Sequence, residues 1–169
     1  MNKMPIFDFL KKKKKPIPKL ELIEYTKEFL KKRGYKKKNN RWTKIDGDFT
    51  LCFFIEGSSY DKELYYLRPG IFINDENLKH IEMYYGHFMT ELVNKTSYEN
   101  LFKEYDEFIN NWTNKKLVKK IILNFIEWEH RNPVEKRRMG LVDYKKDPVP
   151  SEICFSIHKD IINYIVENW

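Results

Sequence analysis

The sequence predicts an α+β fold in which an N-terminal helix precedes a small antiparallel β-meander and several packed C-terminal helices. Apolar residues first recur at helical spacing between Pro18 and Gly34. Runs of strand-forming residues then alternate around a turn at Asp46-Gly47. Helical apolar stripes return in the C-terminal half. Helices that are separated along the chain from a meander of neighbouring strands are typical of the α+β class.

The first helix is predicted to have one apolar and one charged face. The apolar positions are Leu20, Leu22, Ile23, Phe29 and Leu30. The charged positions are Glu24, Lys27, Glu28, Lys31 and Lys32, with Glu-to-Lys pairs at favourable spacing. Gly34 accepts the left-handed conformation that commonly ends a helix.

The turn at Asp46-Gly47 predicts the register of the first long hairpin. With Asp46 and Gly47 as a two-residue loop, Ile45 pairs with Asp48 and Trp42 with Leu51. One face of the sheet then carries Trp42, Phe49, Leu51, Phe53 and Ile55, and we expect it to face the core. The opposite face carries Thr43, Thr50, Cys52 and Phe54. We expect another helix or loop to cover Phe54, and a ligand-facing role is the alternative.

Two further strands flank this hairpin in the prediction. Tyr35–Lys38 forms a leading strand, which turns at Asn39-Asn40. Residues 64–74 form a later strand, which Arg68-Pro69-Gly70 interrupts. Proline cannot donate to a β-ladder, so we expect an edge strand or a bulged strand there.

These residues resemble domain-of-unknown-function family 4304, a bacterial family. In it a helix ends in glycine, an aromatic residue and basic residues, and a hairpin and a strand with an Asn-x-Gly pattern follow. The matching pieces are Arg33-Gly34-Tyr35-Lys36-Lys37-Lys38, Phe53-Phe54-Ile55-Glu56-Gly57-Ser58 and Pro69-Gly70-Ile71-Phe72-Ile73. Glu56 stands where the family has glutamine, and Arg68-Pro69-Gly70 replaces the Asn-x-Gly piece. The family carries no established activity, but related small α+β proteins sit beside bacterial toxins as immunity proteins.

Four helices are predicted after the meander. Asp75 is the predicted cap of a helix that carries Leu78, Ile81, Tyr85, Phe88, Met89 and Leu92. The capping-box pattern of residues 96–99 begins a helix that reaches Trp112. Asn114 caps the next helix, and a last helix covers about residues 157–167. Residues 131–150 are predicted to form a long loop, which is either a surface excursion or disordered segment or a partner-binding loop.

Composition indicates one globular domain over residues 19–169 and a basic tail over residues 1–18, which is either ordered or disordered. The chain has 169 residues, of which 41% are hydrophobic and 16% aromatic, enough for one packed core. No apolar run approaches the roughly 18 residues of a membrane span. We expect a cytoplasmic protein, because residues 1–10 lack the features of a secretory signal and the two cysteines, Cys52 and Cys154, fit a reducing compartment.

The positive charge is concentrated in the N-terminal quarter of the chain. Residues 1–44 hold 16 Lys/Arg against 4 Asp/Glu, although the whole chain carries only +7. The clusters at residues 11–15, 31–33 and 36–38 are suited to phosphate groups, with a strong dependence on salt. The other interpretation is a solvated tail and helix end in a chain that is rich in Lys, Asn, Ile and Tyr.

No pattern of catalytic or metal-binding residues stands out. Glu127 and His130 have the Glu-x-x-His spacing of di-iron bundles, but a second copy is missing and Glu76 with His80 adds only one further pair. His87 and His158 have no Cys or His at ligand spacing. Ser58-Ser59 follows a glycine but lacks a nearby His, and the six glycines form no phosphate-binding loop. We therefore expect a non-enzyme without a cofactor.

Two functions follow as hypotheses. The first is a protein-binding module, in particular an immunity protein that neutralises a toxin. Its predicted contacts are Phe54, Tyr60, Tyr65, Tyr66 and Arg68. The basic charge favours an acidic partner, such as an acidic toxin domain, over a nuclease. The second is nucleic-acid binding through the basic N-terminal third, at Lys36, Lys37, Lys38 and Arg41, with Tyr35 and Trp42 available for stacking.

Overall fold

The computed structural model describes residues 16–79, 84–94, 97–148 and 157–169. Predictions for the tail before Pro16 and for His80, Ile81, Thr96 and Cys154 lie outside these ranges. The α+β prediction is confirmed: a helix, a meander and further helices follow one another. The elements are α1 (Lys19–Lys32), β1 (Lys36–Lys38), β2 (Arg41–Asp46), β3 (Phe49–Gly57), β4 (Tyr65–Ile73), a 3-10 turn (Glu76–Leu78), β5 (Phe88–Met89), β6 (Leu92–Val93), α2 (Tyr98–Trp112), α3 (Lys115–Arg131), α4 (Val134–Arg138) and α5 (Lys159–Asn168).

Helix α1 buries a narrower stripe than predicted. Leu22, Thr26 and Leu30 are buried at four-residue spacing, whereas Leu20 is 79% exposed. Positions that are two residues apart lie on nearly opposite sides of an α-helix, so Leu20 points away from the side on which Leu22 is buried. The placement of Leu20 on the apolar face was therefore wrong. The helix ends as expected, with Gly34 at φ +82.

The hairpin between β2 and β3 has a different loop from the predicted one. Asp46 pairs with Phe49 and Trp42 with Phe53, so Gly47 and Asp48 form the two-residue loop. Gly47 has φ +57, and no other residue of that loop has a positive φ. This pattern belongs to a type II′ turn, which requires glycine at its first central position. The observed register therefore differs from the predicted one by two residues. Because side chains alternate between the faces with a period of two, every side chain stays on its predicted face.

Strand β4 is an interior strand, so its prediction as an edge strand was wrong. It pairs with β3 on one side and with β5 and β6 on the other. Pro69 lies between the parts of β4 that β5 and β6 cover, and its carbonyl accepts a bond from the Thr90 amide at 3.2 Å. Since the N–H and C=O of one strand residue point to the same side, the missing donor of Pro69 faces this gap in the ladder.

The predicted helix after Asp75 is replaced by a short turn and two strands. Asp75 caps only the 3-10 turn, by accepting a bond from the Asn77 amide. Phe88, Met89 and Leu92, which have helical spacing, lie in β5 and β6 instead. The open side of β4 offers them backbone partners, and Gly86 at φ +139 directs the chain onto it. Tertiary pairing thus overrides the local helical pattern.

The core lies between the inner face of the sheet and the C-terminal helices. Phe53 meets Tyr105 of α2 with ring centroids 5.6 Å apart, and Phe49 meets Trp169 at 5.9 Å. Ser97 caps α2 and Asn114 caps α3 through side-chain bonds to backbone amides. The predicted start of α2 is thus confirmed at Ser97, since Thr96 lies outside the described residues. The predicted cap of α3 at Asn114 is confirmed as well. Helix α5, near its predicted position, buries Ile161 and Ile165.

Part of the segment that is predicted to be a long loop packs against the end of α3. It contains α4, and residues near Asp147 return to the end of α3. The Asp147 carbonyl accepts a bond from Trp128 Nε1 at 3.1 Å, and its carboxylate accepts bonds from Arg131 and Asn132. The bonds from Arg131 and Asn132 hold the pKa of the Asp147 carboxyl below its usual range. Residues 131–148 thus form a surface segment that is anchored to the end of α3, and a partner-binding role for it stays a prediction.

Gly70 in β4 allows the chain at Tyr85 to cross the sheet at very short range. A Cβ on Gly70 would lie 1.6 Å from the Tyr85 carbonyl oxygen. We predict that Gly70→Ala lowers the free energy of unfolding by at least about 3 kcal/mol, because a backbone must move. Gly57→Ala is the matched control, since its Cβ would meet Tyr65 at an ordinary 3.5 Å. Urea unfolding compares the two, and equal effects would contradict the close approach.

Candidate functional site

The outer face of the sheet, which is the side opposite the C-terminal helices, carries most of the predicted contact residues. Alternation along the paired strands places Lys36, Lys38, Arg41 and Thr43 there, together with Cys52, Phe54, Glu56, Tyr66, Arg68 and Phe72. Three predicted protein contacts and three predicted nucleic-acid contacts therefore share one surface. We call it the outer face below.

Arg41 is a cation held by aromatic rings on this outer face. Its guanidinium carbon lies 5.2 Å from the ring centroid of Phe54 and 5.3 Å from that of Phe72. Its Nη2 donates to Cys52 Sγ at 2.8 Å. Among the described residues no carboxylate pairs with Arg41. Burial raises the pKa of the Cys52 thiol and Arg41 opposes part of that rise, so the thiol does not supply the missing negative charge.

A groove of about 460 Å³ opens beside Arg41. Residues 38–41, Thr43, Phe54 and Tyr84 line it. Phe54 is 5% exposed, because Tyr84 and Tyr85 lie with ring centroids 5.3 Å from its own. The expectation that another segment covers Phe54 is thus confirmed. Tyr84 remains 69% exposed and forms one wall of the groove. The groove offers two cations, amide and hydroxyl groups and an aromatic wall, with no acidic lining residue.

Arg68, also on the outer face, has its charge compensated. Its two terminal nitrogens lie 3.4 Å from a Glu56 oxygen and 3.0 Å from a Glu91 oxygen. Its guanidinium carbon is 4.8 Å from the ring centroid of Tyr85, whose hydroxyl donates to Glu56 at 2.6 Å. Burial and this bond to Glu56 raise the pKa of Tyr85. Arg68 therefore holds the covering segment in place, which is a structural task.

The remaining predicted contacts lie elsewhere or differ in exposure. Tyr66 is half-buried on the outer face, with its ring centroid 5.7 Å from the Arg68 guanidinium. Tyr60 is 99% exposed in the turn after β3. Tyr65 packs against the core, and Lys19 Nζ lies 5.5 Å from its ring centroid. Lys37 is on the inner face, with Nζ 4.8 Å from the ring centroid of the buried Trp42.

The two residues that the nucleic-acid hypothesis requires for stacking are both buried. Tyr35 and Trp42 belong to the core, and the Tyr35 hydroxyl bonds to that of Tyr105. The exposed aromatic residue at the groove is instead Tyr84, which is not among the predicted contacts and lies in the segment that is predicted to be helical. Two adjacent tyrosines before Gly86 were the available signal for an aromatic segment that crosses a sheet. Their position over Phe54 depends on the tertiary fold.

His87 lines a second groove, of about 440 Å³, next to Asp75, Glu76 and Lys79. Its Nδ1 accepts a bond from the Ile73 amide at 3.0 Å. The neutral imidazole then carries its proton on Nε2, which excludes that nitrogen as a metal ligand in this state. Within the described ranges no three His, Cys, Asp or Glu side chains converge as metal ligands do. Ser58 Oγ accepts bonds from the amides of Tyr60 and Asp61 and stabilises the turn.

Among the residues that the structure describes, every helix is too short or too polar to cross a membrane.

Comparison with known proteins yields no relative. No protein-family model matches the chain, no curated protein is significantly similar to it, and no solved structure matches its fold significantly. The resemblance to family 4304 therefore stays a prediction.

His87 makes stability depend on pH. Burial lowers the pKa of His87 to about 4, and the unfolded chain has the ordinary value of 6.5. Between these values the unfolded state binds a proton that the native state does not, so the free energy of unfolding falls as the pH falls from 6.5 to 4. The loss reaches about 3 kcal/mol and stops below the lower pKa.

We predict that His87→Asn, which keeps an acceptor for the Ile73 amide, flattens this pH dependence. Urea unfolding at several pH values between 7.5 and 4 measures it. His158→Asn is the control, because it removes an exposed imidazole that caps α5 and replaces it with another capping residue. An undiminished slope in His87→Asn would assign the pH dependence to other groups.

Proposed function

We propose that this protein is a non-enzymatic binding module that holds an acidic partner protein at its outer face. The observation that carries this proposal is Arg41, a guanidinium at the groove that no carboxylate neutralises among the described residues. Arg68, on the same face, has two glutamates. The contrast supports a role for Arg41 outside the fold, since a partly buried cation is stabilised by a carboxylate that a partner supplies.

The surroundings of Arg41 favour a protein partner. The rings of Phe54 and Phe72 and the bond to Cys52 restrain the guanidinium, so less side-chain entropy is lost when it binds. Tyr84 supplies a large, mostly exposed ring beside it. Arginine and tyrosine are, with tryptophan, the residues that are enriched among those that dominate interface energy. Lys36 and Lys38 extend the positive charge along the neighbouring strand.

The resemblance to family 4304 supports a particular cellular role, that of an immunity protein that neutralises a bacterial toxin. In this role the partner is an acidic toxin domain, whose acidic surface binds at the positively charged groove. A cytoplasmic location belongs to the same proposal, and the free thiol of Cys52 agrees with a reducing compartment.

Nucleic-acid binding is the second candidate function. It is favoured by the exposed ring of Tyr84 beside Lys38 and Arg41, since a base stacks on an aromatic ring while cations contact phosphates. Its electrostatic part predicts an affinity that falls steeply with salt.

Affinity capture of the tagged protein from its native cell extract tests the leading proposal. Half of the extract is treated with nuclease, and both halves are washed at moderate salt. We expect one protein at stoichiometric level in both halves. With that purified partner, Arg41→Gln should weaken binding at least about tenfold. Lys120→Gln on α3 removes the same charge elsewhere and should bind like the wild type. Equal binding by both variants would remove Arg41 from the interface.

Retardation of labelled single-stranded DNA and RNA tests the second candidate. If it holds, replacing Lys36, Lys37 and Lys38 by Gln weakens binding, and the slope of log affinity against log salt falls by about two to three. Replacing Lys116, Lys119 and Lys120 on α3 by Gln removes the same charge away from the sheet. Absence of retardation at low salt would exclude the second candidate.

A further inference from the structure

Strand β1 forms one edge of the sheet. It pairs with β2 on one side, and no other strand pairs with it in the part of the chain that the structure describes. Lys38 and Arg41 close a two-residue loop, so they form a hydrogen-bonded pair, and the next pair, Lys37 with Trp42, is a non-hydrogen-bonded one. The N–H and C=O of Lys37 therefore point away from β2, toward the open edge.

Beside this edge there is one groove on each face of the sheet. The outer groove, described above, contains Lys38 and Arg41. An inner groove of about 280 Å³ lies between the hairpin and the start of α1. Its lining includes Ile23, Trp42, Ile55 and Tyr65, with Lys19 and Lys37 at its sides. Asn40 of the hairpin loop borders both grooves. Each groove has two cations in its lining, and they differ in what accompanies the cations. The inner groove adds the aliphatic side chains of Ile23 and Ile55, whereas the outer groove has no aliphatic residue and adds amide and hydroxyl groups and aromatic rings.

We propose that the partner supplies an extended segment that adds to β1 as a further strand, with acidic side chains in the outer groove and apolar side chains in the inner groove. Successive residues of a strand point to opposite faces, so the segment alternates acidic and apolar residues. Backbone bonds to Lys37 and alternate side-chain pockets are the two parts of this recognition mode. The inference rests on the proposed function and specifies which part of the partner is bound.

The charges of β1 select the occupant. All three of its residues are exposed lysines, and none forms an ion pair within the described ranges. Lysines on an edge strand oppose pairing with a second copy of the same strand, because like charges would face each other. The same lysines attract an acidic strand. A second copy of this chain is therefore the disfavoured occupant, and sedimentation at high protein concentration checks it.

The probe is a fluorescein-labelled octapeptide in which glutamate alternates with valine, titrated into the full chain at low salt and followed by anisotropy. We expect saturable binding that weakens as salt is added. A peptide of the same composition with four glutamates followed by four valines should bind at least about fivefold more weakly, because it cannot fill both grooves. Equal binding of the two peptides would overturn the alternation.

Two variants of one residue isolate the backbone bond. Lys37→Gln removes the charge and keeps the amide, whereas Lys37→Pro removes both. Proline is tolerated on an edge strand when its nitrogen faces away from the sheet, so circular dichroism should show the same fold and thermal midpoint for both. Relative to Lys37→Gln, we expect Lys37→Pro to bind the alternating peptide about tenfold more weakly. Equal affinity would overturn strand addition.

The purified partner separates this inference from the proposed function. Loss of partner binding in both Arg41→Gln and Lys37→Pro, with retention in Lys37→Gln, supports strand addition. Loss in Arg41→Gln alone overturns strand addition and leaves the outer-face interface standing. A dimer of the free chain that Lys37→Pro abolishes would also overturn the inference, because the edge would then accept a second copy.

Discussion

Gly70 and Gly86 allow residues 84–87 to cross β4 at backbone contact, and much of the outer face depends on this crossing. A Cβ on Gly86 would lie 2.7 Å from the Ile71 amide nitrogen, and Gly86 itself has φ +139. The crossing seats Tyr84 and Tyr85 over Phe54. It also brings His87 to the Ile73 amide and leads the chain into β5. Because both positions lack a side chain, residues 84–87 can cover the outer face and form one wall of the groove beside Arg41.

The two arginines of the outer face show how the same residue type serves different ends. Arg68 is surrounded by groups that belong to the fold, namely Glu56, Glu91 and the ring of Tyr85. Arg41 has rings and a thiol but no carboxylate among the described residues. Aromatic faces hold a guanidinium without neutralising it, so the charge of Arg41 stays available for an external anion. A count of positive charges does not distinguish these two arginines. The difference lies in whether a carboxylate of the fold pairs with the guanidinium.

Residues of the candidate site whose position follows from strand alternation were predicted correctly. Residues whose position depends on contacts between distant segments were not. Alternation placed Thr43, Cys52 and Phe54 on one face, and this placement withstood a two-residue error in register because the side-chain period is two. Tyr84 could not be placed, since its position follows from a crossing between segments remote in sequence. Arg68 was predicted as a partner contact in a strand that was expected to be an edge strand or a bulged one, but β5 and β6 make that strand an interior one. Its glutamate partners come from β3 and from the link between β5 and β6.

The sequence by itself determined the α+β class, the length of the first helix, the caps at Asn114 and Gly34 and the inner face of the meander. These features depend on period, caps and turn residues, which act over a few neighbouring residues. Only the tertiary structure decided that Phe88 and Leu92 join the sheet, that Pro69 fits a gap in the ladder, and that Asp147 anchors residues 131–148. In each case a backbone or side-chain partner far along the chain outweighed the local preference, because an unpaired buried polar group costs more free energy than a residue's intrinsic propensity supplies.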